Sequence, residues 1–209
     1  MNIDRKHYGW IAAAVVVVLL VIDQVIKIEV KTGMALGEAI RVTDWFYIDF
    51  VENNGMAYGM TFINKVVLSL FRLVAITAIG WLLCRIVRRK LFSLGFVLCL
   101  SVILAGAAGN LIDCMFYGLL FEESTYCHVA DFAGFGNGYA PFLYGKVVDM
   151  FYFPIIRTTW PEWVPVWGGT DYVFFSPVFN FADSCISVGV VVLVLFFRKE
   201  MELISQAWK

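Results

Sequence analysis

A chain of 209 residues that is 61% hydrophobic, with a mean hydropathy of +0.79, is far more apolar than an ordinary soluble domain and reads as an integral membrane protein. Its formal net charge of −1 says nothing about a nucleic-acid partner, and none is expected. Four long apolar stretches, at residues 8–28, 65–84, 91–112 and 177–197, each approach the ~20 residues that a membrane-spanning helix needs, and they exclude the alternating pattern of a membrane barrel.

Arg5 and Lys6 precede the first stretch, as they would a secretory signal. The run is long, however, and Ile22-Asp23-Gln24 follows it in place of a small-x-small cleavage site, so it reads as a retained helix. Asp23 and Lys27 stand at i,i+4 in the favourable order. They read either as a local ion pair at the helix end, or as a site support (Asp23) and a contact to lipid phosphate (Lys27). The next segment alternates around Trp45 and Tyr47, the pattern of short strands resting on a membrane surface, and closes on a turn at Asn53-Asn54-Gly55.

Arg72 lies two turns inside the second stretch and must pair or reach a headgroup. In the third, Ala105-Gly106-Ala107-Ala108-Gly109 is a close-packing signal, and Asn110 and Asp113 share the face that follows it. The long segment beyond is rich in Gly, Pro and aromatic residues. Trp160, Trp163 and Trp167 read as interfacial anchors, and a hairpin or amphipathic piece is expected there. Ser176 and Pro177 suit the N-cap and first position of the last helix, which would put Asp183 two turns in and Asn180 a turn above it.

Basic residues cluster before the first stretch, between the second and third (Arg85, Arg88, Arg89, Lys90) and after the fourth (Arg198, Lys199, Lys209). The positive-inside rule then makes both termini cytoplasmic and residues 29–64 and 113–176 extracytoplasmic. The expected architecture is an all-α membrane bundle of four transmembrane helices, with a small extracytoplasmic β element and a long outer loop.

Asp149, at the end of Lys146-Val147-Val148-Asp149, and Asp183 both sit in apolar sequence near the same predicted membrane face. Carboxylates there are costly unless paired or functional. Two of them can share one proton, one taking a proton from water while the other donates. The competing reading is two structural caps at helix ends. Only His7 and His128 are available for other hydrolase chemistries, and neither a serine elbow nor an HExxH motif accompanies them. The five cysteines lack metal-ligand spacing. Cys114 and Cys127 share the oxidising side, where free thiols are favoured over a disulfide.

Five motifs in chain order resemble those of lipoprotein signal peptidase, the signal peptidase II family. They are Asp23-Gln-x-x-Lys27; Asn53-x-Gly55-x-Ala57-Tyr58; Gly106-x-x-Gly109-Asn110-Leu-Ile-Asp113; Val147-Val148-Asp149; and Phe179-Asn180-x-Ala182-Asp183-Ser184. The resemblance covers the whole chain and implies one domain, 1–209, that is an aspartic endopeptidase of the bacterial inner membrane. Its substrates would be prolipoproteins already bearing diacylglycerol, cut just before the lipidated cysteine. Asp149 and Asp183 would be the catalytic pair, and Asn53, Asn110 and Asn180 would hold substrate backbone or order the site. Asp23, Lys27 and Asp113 would support it, while Gly55 and Ala182 belong to the matching motifs. No metal or cofactor is implied. The expected partners are membrane lipids and globomycin-type inhibitors, and the expected state is monomeric.

Two departures stand out. Cys114 occupies the place of a family Arg, for which Arg72, Lys146 or Arg157 are candidate substitutes, and Leu119–Gly145 is inserted ahead of the Val-Val-Asp block. The same residues leave open a proton-coupled transporter or lipid-binding membrane protein, and an inactive scaffold of the family.

Overall fold

The computed structural model describes residues 4–53 and 65–206 of the chain. Helix α1 runs Tyr8–Gly33 and α2 Lys65–Arg89. Helix α3, Leu94–Ile112, continues through a π turn at Asp113–Tyr117 into the short α4, Gly118–Leu120. After the last strand come α5, Phe181–Phe196, and α6, Arg198–Gln206, bent by 89° from it. Among the described residues, three helices are long and apolar enough to cross a membrane, or four if the bent α5–α6 pair forms one span.

The polarity is inside out. Val17, Val21, Phe71, Val74, Val191 and Leu195 are exposed, while Asp23, Lys27, Asn110 and Asp113 are buried. An apolar belt of that extent with charge at its centre is stable only in an apolar solvent, where buried polar groups satisfy one another.

Helix α3 is central, packed on α1, α2 and α5. The small residues read from the sequence are what permit this. A Cβ added to Gly106 would lie 2.4 Å from the Ala182 carbonyl oxygen, and one on Gly109 would lie 2.5 Å from Asp23 Oδ2. Gly106→Ala must therefore push α5 off α3. Overpacking of this kind should lower stability by about 1–3 kcal/mol, seen as a reduced Tm in detergent.

The β component is larger than the small element expected. Strands β1 (Ala39–Arg41), β2 (Tyr47–Asn53), β3 (Val147–Tyr152) and β6 (Val178–Phe179) form one antiparallel sheet in the order β1-β2-β3-β6. Strands β4 (Ile156–Thr159) and β5 (Asp171–Phe174) form the hairpin anticipated in the long segment. Trp163 and Trp167 are exposed on the connection between them.

Two apolar clusters hold the ends of the molecule together. Ala12, Leu83, Ile86, Phe92, Phe96, Val97 and Leu100 pack around the start of α1. Val30, Met34, Phe50, Tyr117, Phe121, Val148 and Met150 join its other end to the sheet. The second cluster takes alternate residues of β3, Val148 and Met150, so the pleat turns Asp149 to the opposite face.

The start of the last helix needs correction. Ser176 is not the cap. Val178 and Phe179 extend as β6 against Tyr152 and Phe151, so the chain cannot turn helical until Asn180. Asn180 is the N-cap, and Asp183 lies in the first turn instead of two turns in. The other spans also differ in extent: α1 reaches Gly33 and α2 reaches Arg89, each five residues beyond the apolar stretch read from the sequence (33 − 28 and 89 − 84).

Candidate active site

The site forms where the start of α5 meets β3, α3 and the last third of α1. Asn180 and Asp183 make a reciprocal cap. Asn180 Oδ1 accepts from the Asp183 N–H at 2.9 Å, and the Asp183 carboxylate accepts from the Asn180 N–H at 3.4 Å. This leaves Asn180 Nδ2 outside the cap, and it donates to Asp149 Oδ1 at 2.6 Å and to Asn110 Oδ1 at 3.0 Å. Asn110 Nδ2 in turn donates to Asp183 Oδ1 at 2.7 Å. Asn53 donates to the second oxygen of Asp149. Asn53 stands opposite Val147 in the β2–β3 register, so Asp149 is its diagonal neighbour on the same sheet face. Two aspartates distant in sequence are thus bridged by Asn180, which touches both, with Asn110 on Asp183 and Asn53 on Asp149.

Asp149 is 3% exposed, whereas Asp183 is only half-buried, so the site opens on the Asp183 side. Burial pushes the Asp149 carboxyl up from 3.8 to about 7, and the nearby Asp183 charge adds to the rise. Asp183 sits in the first turn of α5, where the helix end favours negative charge.

Lys27 lies behind the carboxamides. Its ammonium is wholly buried, 2.7 Å from Asp113 Oδ2, 3.1 Å from Asp23 Oδ2 and 2.8 Å from Asn110 Oδ1. Three donors meet three acceptors. This excludes the lipid-phosphate reading of Lys27 and goes beyond a local pair with Asp23, because Asp113 and Asn110 come from another helix. Asp23 Oδ1 accepts from the Ala182 N–H at 2.9 Å, so α1 caps α5 at the residue before Asp183. Asp113 Oδ2 also faces the Val148 N–H at 3.5 Å, next to Asp149. Gly145 lets the chain pass this close: a Cβ there would lie 2.1 Å from the Asp113 carbonyl oxygen.

All the predicted site residues that are described converge here: Asp149, Asp183, Asn53, Asn110, Asn180, Asp23, Lys27, Asp113 and Ala182. Gly55 and the turn it belongs to lie outside the described residues. Reading the sequence missed Gln24 and Tyr117. Gln24 Nε2 donates to Asp23 Oδ2 and Asp113 Oδ1, both at 3.0 Å, and the Tyr117 hydroxyl donates to Gln24 Oε1 at 3.3 Å. The signal for Gln24 is the motif Asp23-Gln-x-x-Lys27, in which it stands between the two residues singled out.

Of the three candidates for the missing Arg, Arg72 is the one at that position, its Nη1 3.2 Å from Cys114 Sγ. Lys146 instead faces Glu52 and Glu123, and Arg157 lies over the Tyr47 ring. Cys114 is buried, Cys127 is exposed, and both are free thiols.

The fold and site define a helical membrane protein with two aspartates and three asparagines gathered at a sheet–helix junction. A family model described as signal peptidase (SPase) II matches residues 15–198. A lipoprotein signal peptidase of Porphyromonas gingivalis is 48% identical over 207 residues, covering 99% of this chain and 91% of that protein. One from Amoebophilus asiaticus is 33% identical over 203 residues, covering 94% and 79%. A bacterial membrane enzyme solved in meso at 1.9 Å resolution superposes with a TM-score of 0.59 at 22% identity, covering 90% of this chain and 92% of that one. The chain belongs to the signal peptidase II family.

Proposed function

We propose that this protein is an aspartic endopeptidase that removes the signal peptide from diacylglyceryl-modified prolipoproteins, cutting just before the lipidated cysteine. The observation that carries the reading is the Asn180 side chain, which caps Asp183 with one atom and holds Asp149 with the other. The pair shares one proton and titrates as a unit. The ionised member takes a proton from water as its oxygen attacks the scissile carbonyl carbon. The protonated member supports the developing oxyanion, then gives its proton to the leaving amine as the C–N bond breaks. A signal peptide unwound at its cleavage point presents free backbone groups, and carboxamides at the site can satisfy them. The lipid chains hold the substrate in the bilayer at the depth of the dyad, lowering the entropy lost on orientation. Arg72, beside Cys114, supplies the guanidinium that the family motif carries one residue after the aspartate.

In this reading the whole chain is one domain of the bacterial inner membrane, crossing it four times with α5 as the last span. Both termini are cytoplasmic and the site lies near the extracytoplasmic face. The enzyme acts as a monomer and is blocked by globomycin-type inhibitors. The test is incubation of purified protein with a prolipoprotein, with and without its diacylglyceryl group, and mass mapping of the products. Cleavage only of the lipidated form, immediately before the cysteine and abolished by globomycin, is expected. Cutting of the unmodified form at equal rate, or at another bond, overturns the assignment. Proton uptake by proteoliposomes without cleavage supports the transporter reading.

A further inference from the structure

A second buried ionic group lies on the far side of the same strands. Glu52 directly precedes Asn53 on β2, and Lys146 stands three residues before Asp149. The pleat turns Glu52 away from the site face occupied by Asn53. Its Oε1 is 2.6 Å from the ammonium of Lys31, one turn beyond Lys27 on α1, and 3.0 Å from Ser124 Oγ, while Lys31 is 2.8 Å from that same hydroxyl. Its Oε2 is 3.3 Å from Lys146, which is also 3.2 Å from Glu123. The phenol oxygen of Tyr139 accepts from the Lys146 backbone N–H at 2.5 Å, and the Tyr139 ring lies under both ammonium groups, at 5.1 Å from Lys31 and 5.3 Å from Lys146.

Glu123, Ser124 and Tyr139 all belong to the inserted segment 119–145. The group therefore ties that segment to one helix and two strands, each of which also carries a site residue: Lys27 on α1, Asn53 on β2, Asp149 on β3. A buried ion pair adds little net stability compared with apolar packing, but it fixes one geometry. Here the single Glu52 carboxylate stands between two lysines that otherwise repel each other. Without its charge the two ammonium groups would repel each other across the start of β3, the strand that carries Asp149.

We propose that Lys31, Glu52 and Lys146 are positioning residues, and that through them the inserted segment holds Asn53 and Asp149 in register for the reaction. This rests on the peptidase reading. The test is full-length Glu52→Gln, Lys146→Met and Lys146→Arg beside wild type, followed by cleavage kinetics and amide hydrogen exchange. Glu52→Gln is expected to lower kcat by about tenfold to a hundredfold while KM stays within about twofold, as for a small misplacement of a reacting group. Exchange should rise in residues 48–53 and 147–152 and stay unchanged in α3 and α5. Lys146→Met should follow in the same direction, and Lys146→Arg should retain wild-type turnover. Unchanged kcat and strand exchange in Glu52→Gln overturn the proposal, as does a rise in KM alone. If Glu52→Gln fails to fold, the partly exposed Lys146 variants decide by the same readouts. If wild type itself does not cleave, the peptidase reading fails separately, and strand exchange alone decides whether the brace exists.

Discussion

Asp149→Asn and Asp183→Asn are each expected to reduce cleavage by about 10²- to 10⁴-fold without unfolding the protein, the range for losing a group that moves a proton in the transition state. Asn keeps the size and polarity of the acid but cannot pass its proton. The two variants differ in stability. Asp149 has its carboxyl pushed up from 3.8 to about 7, chiefly by burial. Between those values the folded state holds a proton that the unfolded chain has released. The stabilisation is therefore complete below about pH 4 and is lost as pH rises through about 7. A carboxamide in place of the carboxyl resembles the protonated acid at every pH. Asp149→Asn should thus match wild type near pH 4 and exceed it in Tm at pH 8, while being inactive at both. Wild-type cleavage should decline as pH rises through about 7, because the shared proton is then lost. Near-wild-type turnover in either variant would make that aspartate structural. A Tm difference independent of pH would remove the account of Asp149.

Lys27→Met is expected to give the largest loss of stability, about 3–5 kcal/mol, the effect of deleting one partner of a buried ionic group. Met fills most of the space, but Asp23 and Asp113 then face each other without the ammonium that lies 3.1 Å and 2.7 Å from them. Asn110 also loses a donor at 2.8 Å, and with it the orientation that presents its amide to Asp183. Thermal unfolding in detergent measures the first effect. The companion variant Lys27→Met with Asp113→Asn removes one of the facing charges and should recover part of the stability. It should recover little activity, since the Asn110 orientation is still lost. A Tm for Lys27→Met within a degree of wild type would show that the buried group is not ionic.

The two largest effects fall on residues whose importance was visible as charge in apolar sequence. Lys31, Glu52 and Ser124 were not visible in that way. Lys31 and Glu52 lie in predicted extracytoplasmic sequence, where charge is ordinary, and only the fold buries their side chains together. The cap of the last helix was misplaced for a related reason. Ser176-Pro177 is a good local start signal, but pairing of β6 with β3 keeps Val178 and Phe179 extended, and a local preference of about a kilocalorie per mole yields to such pairing.

Residue order alone is enough for the membrane class, the apolar stretches, the close approach at Gly106 and Gly109, and the standing of Asp149 and Asp183 as carboxylates in apolar sequence. Each follows from a local rule: an apolar run long enough to span, a side chain too small to separate helices, or a charge that an apolar setting does not tolerate. Other features exist only once the chain has folded. Asp149 lies on a strand, Asn180 joins it to Asp183, Lys27 meets residues of a second helix, and Glu52 balances two lysines. Those facts depend on which distant segments meet and in what register, and pairings across about a hundred residues, such as Asn53 with Asp149, have no local signature.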